Sequence, residues 1–212
     1  MKKTLFLLII ISLFVISGCG QKKEKSSSLS KEDVPSIAQG RYDVNLTESK
    51  LEWIGKQLSA KEHRGTLNIK KGQISIDDSG VINGGIEIDM LSINTTDIKG
   101  RGKDRLDGHL KSPDFFDVEK HPVAFLKFKS DSKDYLDGQL KFVGELTIKN
   151  ITHPISFQSK INSINGKLSA NAKVAFDRSL YDVRYGSGKF FDNLGDRLIY
   201  DEINIDVLII TI

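Results

Sequence analysis

The residue types that could do chemistry are few and scattered. The four histidines are His63, His109, His121 and His153. No two are spaced i, i+2 on a strand or i, i+4 on a helix, the spacings that aim two imidazoles at one metal ion. Asp114, Asp117 and Glu119 gather beside His121 and could mimic an acid–base pair, but carboxylates in the first turn of a short helix follow from the helix dipole alone. Gly186-Ser187-Gly188 is spaced too tightly for a phosphate-binding loop or a nucleophile elbow. Arg178, Arg184 and Arg197 flank it and could meet an anionic head group; salt bridging is the simpler role. Trp53 reads as core. The expectation is a protein with no catalytic residue, no metal site and no resident cofactor.

The remaining candidate is Cys19, the only cysteine of the 212 residues. One cysteine excludes an intrachain disulfide and a Cys-rich zinc site. Met1-Lys2-Lys3 is followed by Leu5 to Ile16, apolar except for Ser12, about as long as a signal-peptide core and short for a membrane span. Ile16-Ser17-Gly18-Cys19 then resembles a bacterial lipobox, where a prolipoprotein is acylated on Cys and cut just before it. The alternative is a plain secretory signal with an incidental Cys. The expected organisation is a signal peptide at 1–18, a flexible tether at 19–39 and one folded domain at 40–212. Two or more acyl chains anchor stably where one does not, so the expected location is the bacterial cell envelope, on the periplasmic or surface face of the outer membrane. In the tether, Gln21 to Ser28 has no apolar residue to bury, as a solvated spacer should; a sorting signal is the second reading. The net charge of +3 includes Lys2 and Lys3, and no dense basic run follows, which argues against nucleic acid as a partner.

From about Gly40 the pattern alternates with period two, the mark of strands with one buried face. Leu140, Phe142, Leu146 and Ile148 alternate with Lys141, Glu145 and Thr147. Ile155, Phe157 and Ile161 form a second run, Leu168, Ala170, Ala172, Val174 and Phe176 a third, and Ile203, Ile205, Val207 and Ile209 a fourth. Ile86, Ile88 and Met90 repeat it, and shorter cases occur at Leu51/Trp53, Leu67/Ile69 and Ile74/Ile76. Lys70-Lys71-Gly72, Asp77 to Gly80, Asp137-Gly138 and Asn165-Gly166 read as turns. Eight or nine strands on short connections predict an antiparallel sheet closed on itself, which leaves no exposed edge. Thr96 to Pro122 breaks the alternation. Ser112-Pro113-Asp114 there reads as a helix N-cap followed by first-turn proline, so the insertion is expected to form one or two short helices over a barrel end. Tyr181 to Asp196 reads as a long loop.

An eight-stranded barrel is filled by its own side chains or holds one small ligand. Ala170, Ala172 and Gly144 put little volume on apolar faces, which leaves room for a guest unless a neighbouring Phe takes it; the pattern leaves both open. A guest would have to be apolar, because these faces carry no ionisable group. About ten buried methylenes would contribute roughly 8 kcal/mol before ordering costs. The expected lining is Leu140, Phe142, Leu146, Ile148, Phe157, Ala170, Ala172, Val174 and Phe176, provided the register is not slipped by one.

Ile86-Glu87-Ile88-Asp89, Ser92-Ile93-Asn94-Thr95 and the run Asp107-Gly108-His109-Leu110-Lys111-Ser112-Pro113-Asp114-Phe115-Phe116-Asp117 up to Pro122 resemble the YceI-like family. Gly144 to Ile148, His153-Pro154 and Phe176-Asp177-Arg178 extend the resemblance over about Gly40 to Ile212. It implies an all-β fold, an extended lipocalin-like antiparallel barrel of about eight strands with short helices capping one end. It also implies a ligand class, an isoprenoid or polyprenyl lipid or a quinone tail. Asp107, His109, Asp114, Phe115 and Phe116 then read as the cap and plug of that end. Leu106 departs from the family's usual Arg, and the 181–196 loop is a variant ending. The expected function is non-enzymatic lipid binding, for transport or storage, with the membrane reached through acylated Cys19. The rivals are a tethered structural or stress-related lipoprotein with a solid core, an enzyme at the 181–196 loop, and a membrane-spanning barrel with its apolar face outward.

Overall fold

The computed structural model describes residues 37–134 and 136–212. Cys19, the leader and all but the last three residues of the expected tether lie outside them. Among the described residues alternation builds nine strands: β1 (Gly40–Asp43), β2 (Lys50–Lys56), β3 (Glu62–Ile76), β4 (Ile82–Thr95), β5 (Val123–Ser130), β6 (Leu140–Ile148), β7 (Ile151–Ile164), β8 (Lys167–Asp177) and β9 (Glu202–Ile210). An α-helix, α1 (Gly100–Lys111), joins β4 to β5. Every pairing is antiparallel. Strands β2 to β9 follow one another around a ring that β9 closes against β2, with Val207 opposite Leu51 and Ile205 opposite Trp53. β1 lies beside β2 along the same edge of β3, pairing with Gln73 to Ile76.

Inward and outward positions separate cleanly. On β6, Leu140, Phe142, Leu146 and Ile148 are buried while Lys141, Val143 and Glu145 are exposed. Outward Lys141 pairs with Asp131 and outward Lys173 with Asp206, a charged outer wall that a bilayer core would not tolerate. The membrane-spanning alternative therefore fails.

Turn chemistry fixes the register. Asp137-Gly138 and Asn165-Gly166 take positive φ at both residues, the requirement of tight hairpins whose twist matches the strands. Lys149-Asn150 does the same, at φ 51° and 61°, without a glycine. The expected turn at Lys70-Lys71-Gly72 is instead the middle of β3, where the register against β4 shifts between Ile69 and Lys71. Gly72 serves close approach there: a Cβ would lie 2.7 Å from the Val44 side chain and 2.8 Å from that of Ile86. The two short patterns around it are one bulged strand.

The helix also differs from expectation. Ser112 ends α1 rather than starting one; its backbone N–H and hydroxyl both bond the His109 carbonyl. Pro113 stops the helix, and Asp114 to Phe116 form turns behind it.

One end of the barrel is closed by Val44, Ile76 and Leu140, with Ile37 against the same cluster and Ile82 and Leu168 between it and the hollow. The other end carries α1, the turns after it and the loop between β8 and β9. All nine strands, α1 and both core clusters lie within 37–212, so this unit contains its own core.

Candidate binding cavity

Cross-strand geometry hollows the barrel. Strand β7 pairs with β8 only from Gln158 onward. Above that point Pro154 sits where β7 has no β8 partner to serve, as proline requires. The gap is filled by Tyr181, edge-on to His153 (centroids 5.2 Å) and Phe176 (5.8 Å). The interior that remains holds a cavity of about 240 Å³. By a like measure one water needs only about 10–15 Å³, so the barrel is not plugged by its own atoms.

Eight of the nine expected lining residues form its wall: Phe142, Leu146, Ile148, Phe157, Ala170, Ala172, Val174 and Phe176. Leu140 does not. It is 1% exposed and belongs to the packed end, because it starts β6, one inward position beyond Phe142. Gly144 leaves no room either. A Cβ there would stand 2.1 Å from the Lys127 carbonyl oxygen, so its missing side chain admits the neighbouring strand rather than a guest.

The wall is apolar except at one end. Lys56, Gln57, Lys61 and His63, on and around the β2–β3 hairpin, face Leu106 and Leu110 of α1, with Phe115, Phe116 and Ile199 nearby. This is the mouth. The period-two reading missed it, although Leu106 and Leu110 are spaced i, i+4, the signal of one helix face. Leu106 thus places an isobutyl group at the opening. Deeper in, the only hydroxyl among the described residues is that of Ser159, which donates to the Asn171 carbonyl at 3.0 Å. Trp53 is 8% exposed in the wall, and its indole N–H has no hydrogen-bond partner among the described residues.

The cap is held by charge. Asp107 accepts from the Thr95 N–H (2.8 Å) and hydroxyl (2.6 Å) and pairs with Lys103. Burial pushes its carboxyl up, but the Lys103 ammonium and the two Thr95 bonds outweigh that and hold it below the usual carboxylate range. His109 meets Phe115 edge-on (5.1 Å) and Tyr185 (4.4 Å). Phe115 is buried and Phe116 half-buried in the wall, whereas Asp114 is exposed and takes no part in the plug.

Of the charged candidates, Arg197 is exposed and makes no ion pair among the described residues, while the others are engaged elsewhere. Arg178 is fully buried and donates to the carbonyls of Val183 (3.0 Å), Ile199 (3.2 Å) and Tyr200 (3.3 Å), with Asp201 at 3.2 Å. It is a clasp for the β8–β9 loop and cannot reach a head group. Arg184 pairs with Asp182. The Ser187 hydroxyl donates to Asp201 at 2.9 Å. Asp117 pairs with Lys120, so the acidic cluster near His121 does not converge. Among the described residues no three His, Cys, Asp or Glu side chains gather to hold a metal.

Comparison with known proteins agrees with this architecture. The model of the YceI-like domain matches residues 42–210. A UPF0312 protein of Shewanella denitrificans is 33% identical over 96 residues, 45% of this chain and 47% of that protein. Protein YceI of Escherichia coli O157:H7 is 34% identical over 71 residues, 34% of this chain and 36% of its own. These alignments span about a third to a half of the relatives' lengths. Burkholderia cenocepacia BcnA superposes with a TM-score of 0.60 at 21% identity, covering 79% of this chain and 99% of its own. A polyisoprenoid binding domain from Saccharophagus degradans gives 0.59 at 14% identity, covering 82% and 98%. At such identities these likenesses speak to the fold alone, but the family match extends from β1 to the end of β9, and the chain belongs to the YceI-like domain family.

Proposed function

We propose that the barrel binds a long apolar lipid, an isoprenoid or polyprenyl chain or a quinone tail, and carries or stores it without converting it. The observation behind this reading is the cavity: about 240 Å³, walled by aliphatic and aromatic side chains, with ionisable groups only at its mouth. Such a wall favours a hydrocarbon chain, at about 0.8 kcal/mol per buried methylene, and would strand a phosphate or sugar without partners. That the Saccharophagus domain is a polyisoprenoid binding domain supports the same ligand class. The cavity weighs against the solid-core alternative. We propose further that acylation of Cys19 tethers the protein in the bacterial envelope, so that Cys19→Ser leaves it in the soluble fraction.

Residues 37–212 are purified and extracted with organic solvent, and the extract is analysed by mass spectrometry. An apolar lipid near equimolar amount is expected. Trp53 is the only tryptophan and lies in the wall, so an added quinone should quench its fluorescence on entry. Recovery of no lipid, together with no uptake of added polyprenyl lipid and no quenching, overturns the proposal.

A further inference from the structure

Large apolar side chains exposed on the outer surface are not evenly spread. Of the exposed aromatic side chains among the described residues, Tyr185, Phe190, Phe191 and Tyr200 all lie in the segment between β8 and β9, and only Phe125 lies elsewhere. Phe190 and Phe191 are 41% and 50% exposed. They are held in place: their N–H groups donate to the Ser187 carbonyl at 3.2 and 3.1 Å, and Ser187 is fully buried and bonded to Asp201. A fixed turn that displays two phenyl rings to water is a surface awaiting something apolar.

Charge identifies the occupant. Tyr185 packs on His109 of α1 at 4.4 Å. One and two helical turns before His109, roughly along the same stripe, stand Arg105 and Arg101, both exposed and without an ion pair among the described residues. From Lys99 to Lys111 there are five Lys or Arg against Asp104 and Asp107. The loop itself is balanced: Arg184, Lys189 and Arg197 stand against Asp182, Asp192 and Asp196. The positive excess therefore sits on the helix beside the aromatic turn. Arg184 lies over the Phe190 ring at 5.1 Å, so the ring carries a cation at its face. Exposed aromatic rings flanked by basic residues suit the boundary between acyl chains and anionic head groups. A soluble partner would explain the apolar rings but not the position. This end is where the cavity opens, and Phe115 joins the two, lining the cavity and touching Tyr185 at 5.8 Å between centroids.

We propose that the mouth end of the barrel docks on an anionic phospholipid bilayer, with Tyr185, Phe190 and Phe191 entering the head-group boundary and Arg101 and Arg105 meeting lipid phosphates. Docking needs no guest in the cavity, so it is tested apart from lipid binding. If a guest is carried, docking brings the opening against the phase in which such a guest dissolves.

The test uses residues 37–212, which lack Cys19 and cannot be acylated there. The protein is sedimented with phosphatidylcholine vesicles and with mixed phosphatidylcholine–phosphatidylglycerol vesicles. Binding to the mixed vesicles, weakened by salt, is expected. Phe190→Ser/Phe191→Ser and Arg101→Gln/Arg105→Gln should each lower the partition coefficient about tenfold or more. Circular dichroism checks that these surface changes leave the fold intact, and tyrosine iodination of the parent should fall at Tyr185 when vesicles are added. Equal binding of parent and variants, or no binding of the parent, overturns the proposal. So does a parent that ignores vesicles yet dimerises in sedimentation velocity while the phenyl variant stays monomeric, because a second copy of the chain then covers the patch.

Discussion

The rings of Phe142 and Phe157 are stacked, with centroids 5.3 Å apart and planes 11° from parallel. They stand directly opposite each other on β6 and β7, and Phe128 meets both edge-on. The two are not equivalent. Both line the cavity, but Phe142 is 2% exposed while Phe157 is only partly buried there. Phe142→Ala should cost about 3–5 kcal/mol, since almost all of its surface is in contact, including the rings of Phe128 and Phe157. Phe157→Ala should cost clearly less, because one side of the ring already faces open space. Urea denaturation of both variants checks the order, and a reversed order would mean that the hollow is filled in solution.

The cavity also predicts that adding bulk is tolerated. In a well-packed core an enlarged side chain costs about 1–3 kcal/mol. Ala170→Leu and Ala172→Phe extend from β8 into the hollow rather than into neighbours. The midpoint of thermal unfolding should stay near that of the parent or rise, while the co-purified lipid seen by mass spectrometry falls. Loss of stability with unchanged lipid content would place the guest elsewhere.

The acid limit of stability follows from the cap. The Asp107 and Asp177 carboxyls are both held below their ordinary range. Burial opposes this in each case, and the bonds from Lys103 and Thr95, and from Lys189 and Ser179, outweigh it. A carboxyl depressed in the folded state stabilises the fold above its unfolded value, near pH 4, and loses that contribution as pH falls through the folded value. Stability should therefore be flat from neutral pH down to about 4 and then decline. Asp107→Asn, which keeps the shape but not the charge, should lower stability at neutral pH and remove part of the acid slope. A slope unchanged in that variant would show that other carboxylates set the limit.

Most of the barrel was legible because a strand with one wet face writes its orientation into every second residue. Phe142, Leu146, Val174 and Phe176 could be assigned inward from their neighbours Lys141, Glu145, Lys173 and Asp177 alone. What alternation does not encode is how far along the barrel each inward residue lies, so Leu140 read the same as Phe142 although one plugs the end and the other walls the hollow. Gly144 and Gly72 were misread for a related reason. A glycine states that a side chain is absent, not whether a ligand, a turn or a neighbouring strand takes the space. The cap was half legible. Ser and Pro are common at both helix ends, and Ser112-Pro113 served to stop α1, with its start at Lys99 lacking a side-chain cap. The role of Arg178 was hidden because its partners are backbone carbonyls, which every residue supplies.

That clasp gives the last prediction. The Arg178 guanidinium is fully buried, holds three carbonyls and Asp201 at once, and lies 5.4 Å from the centre of the Phe115 ring. It thereby ties the β8–β9 loop to the plug at the mouth. Arg178→Met keeps the volume but strands the Asp201 charge and three acceptors, and breaking one side of a buried pair costs about 3–5 kcal/mol. Arg178→Lys should recover only part of this, since a single ammonium cannot reproduce the planar fork. The damage should be local before it is global. Limited chymotrypsin digestion should cut the Met variant at Tyr185, Phe190 or Phe191 at temperatures where the parent resists, with the β6 and β7 amides still protected from hydrogen exchange. Cleavage of parent and variant at equal rates would show that the loop is held by its other contacts, and that the buried cation does not set the shape of the mouth.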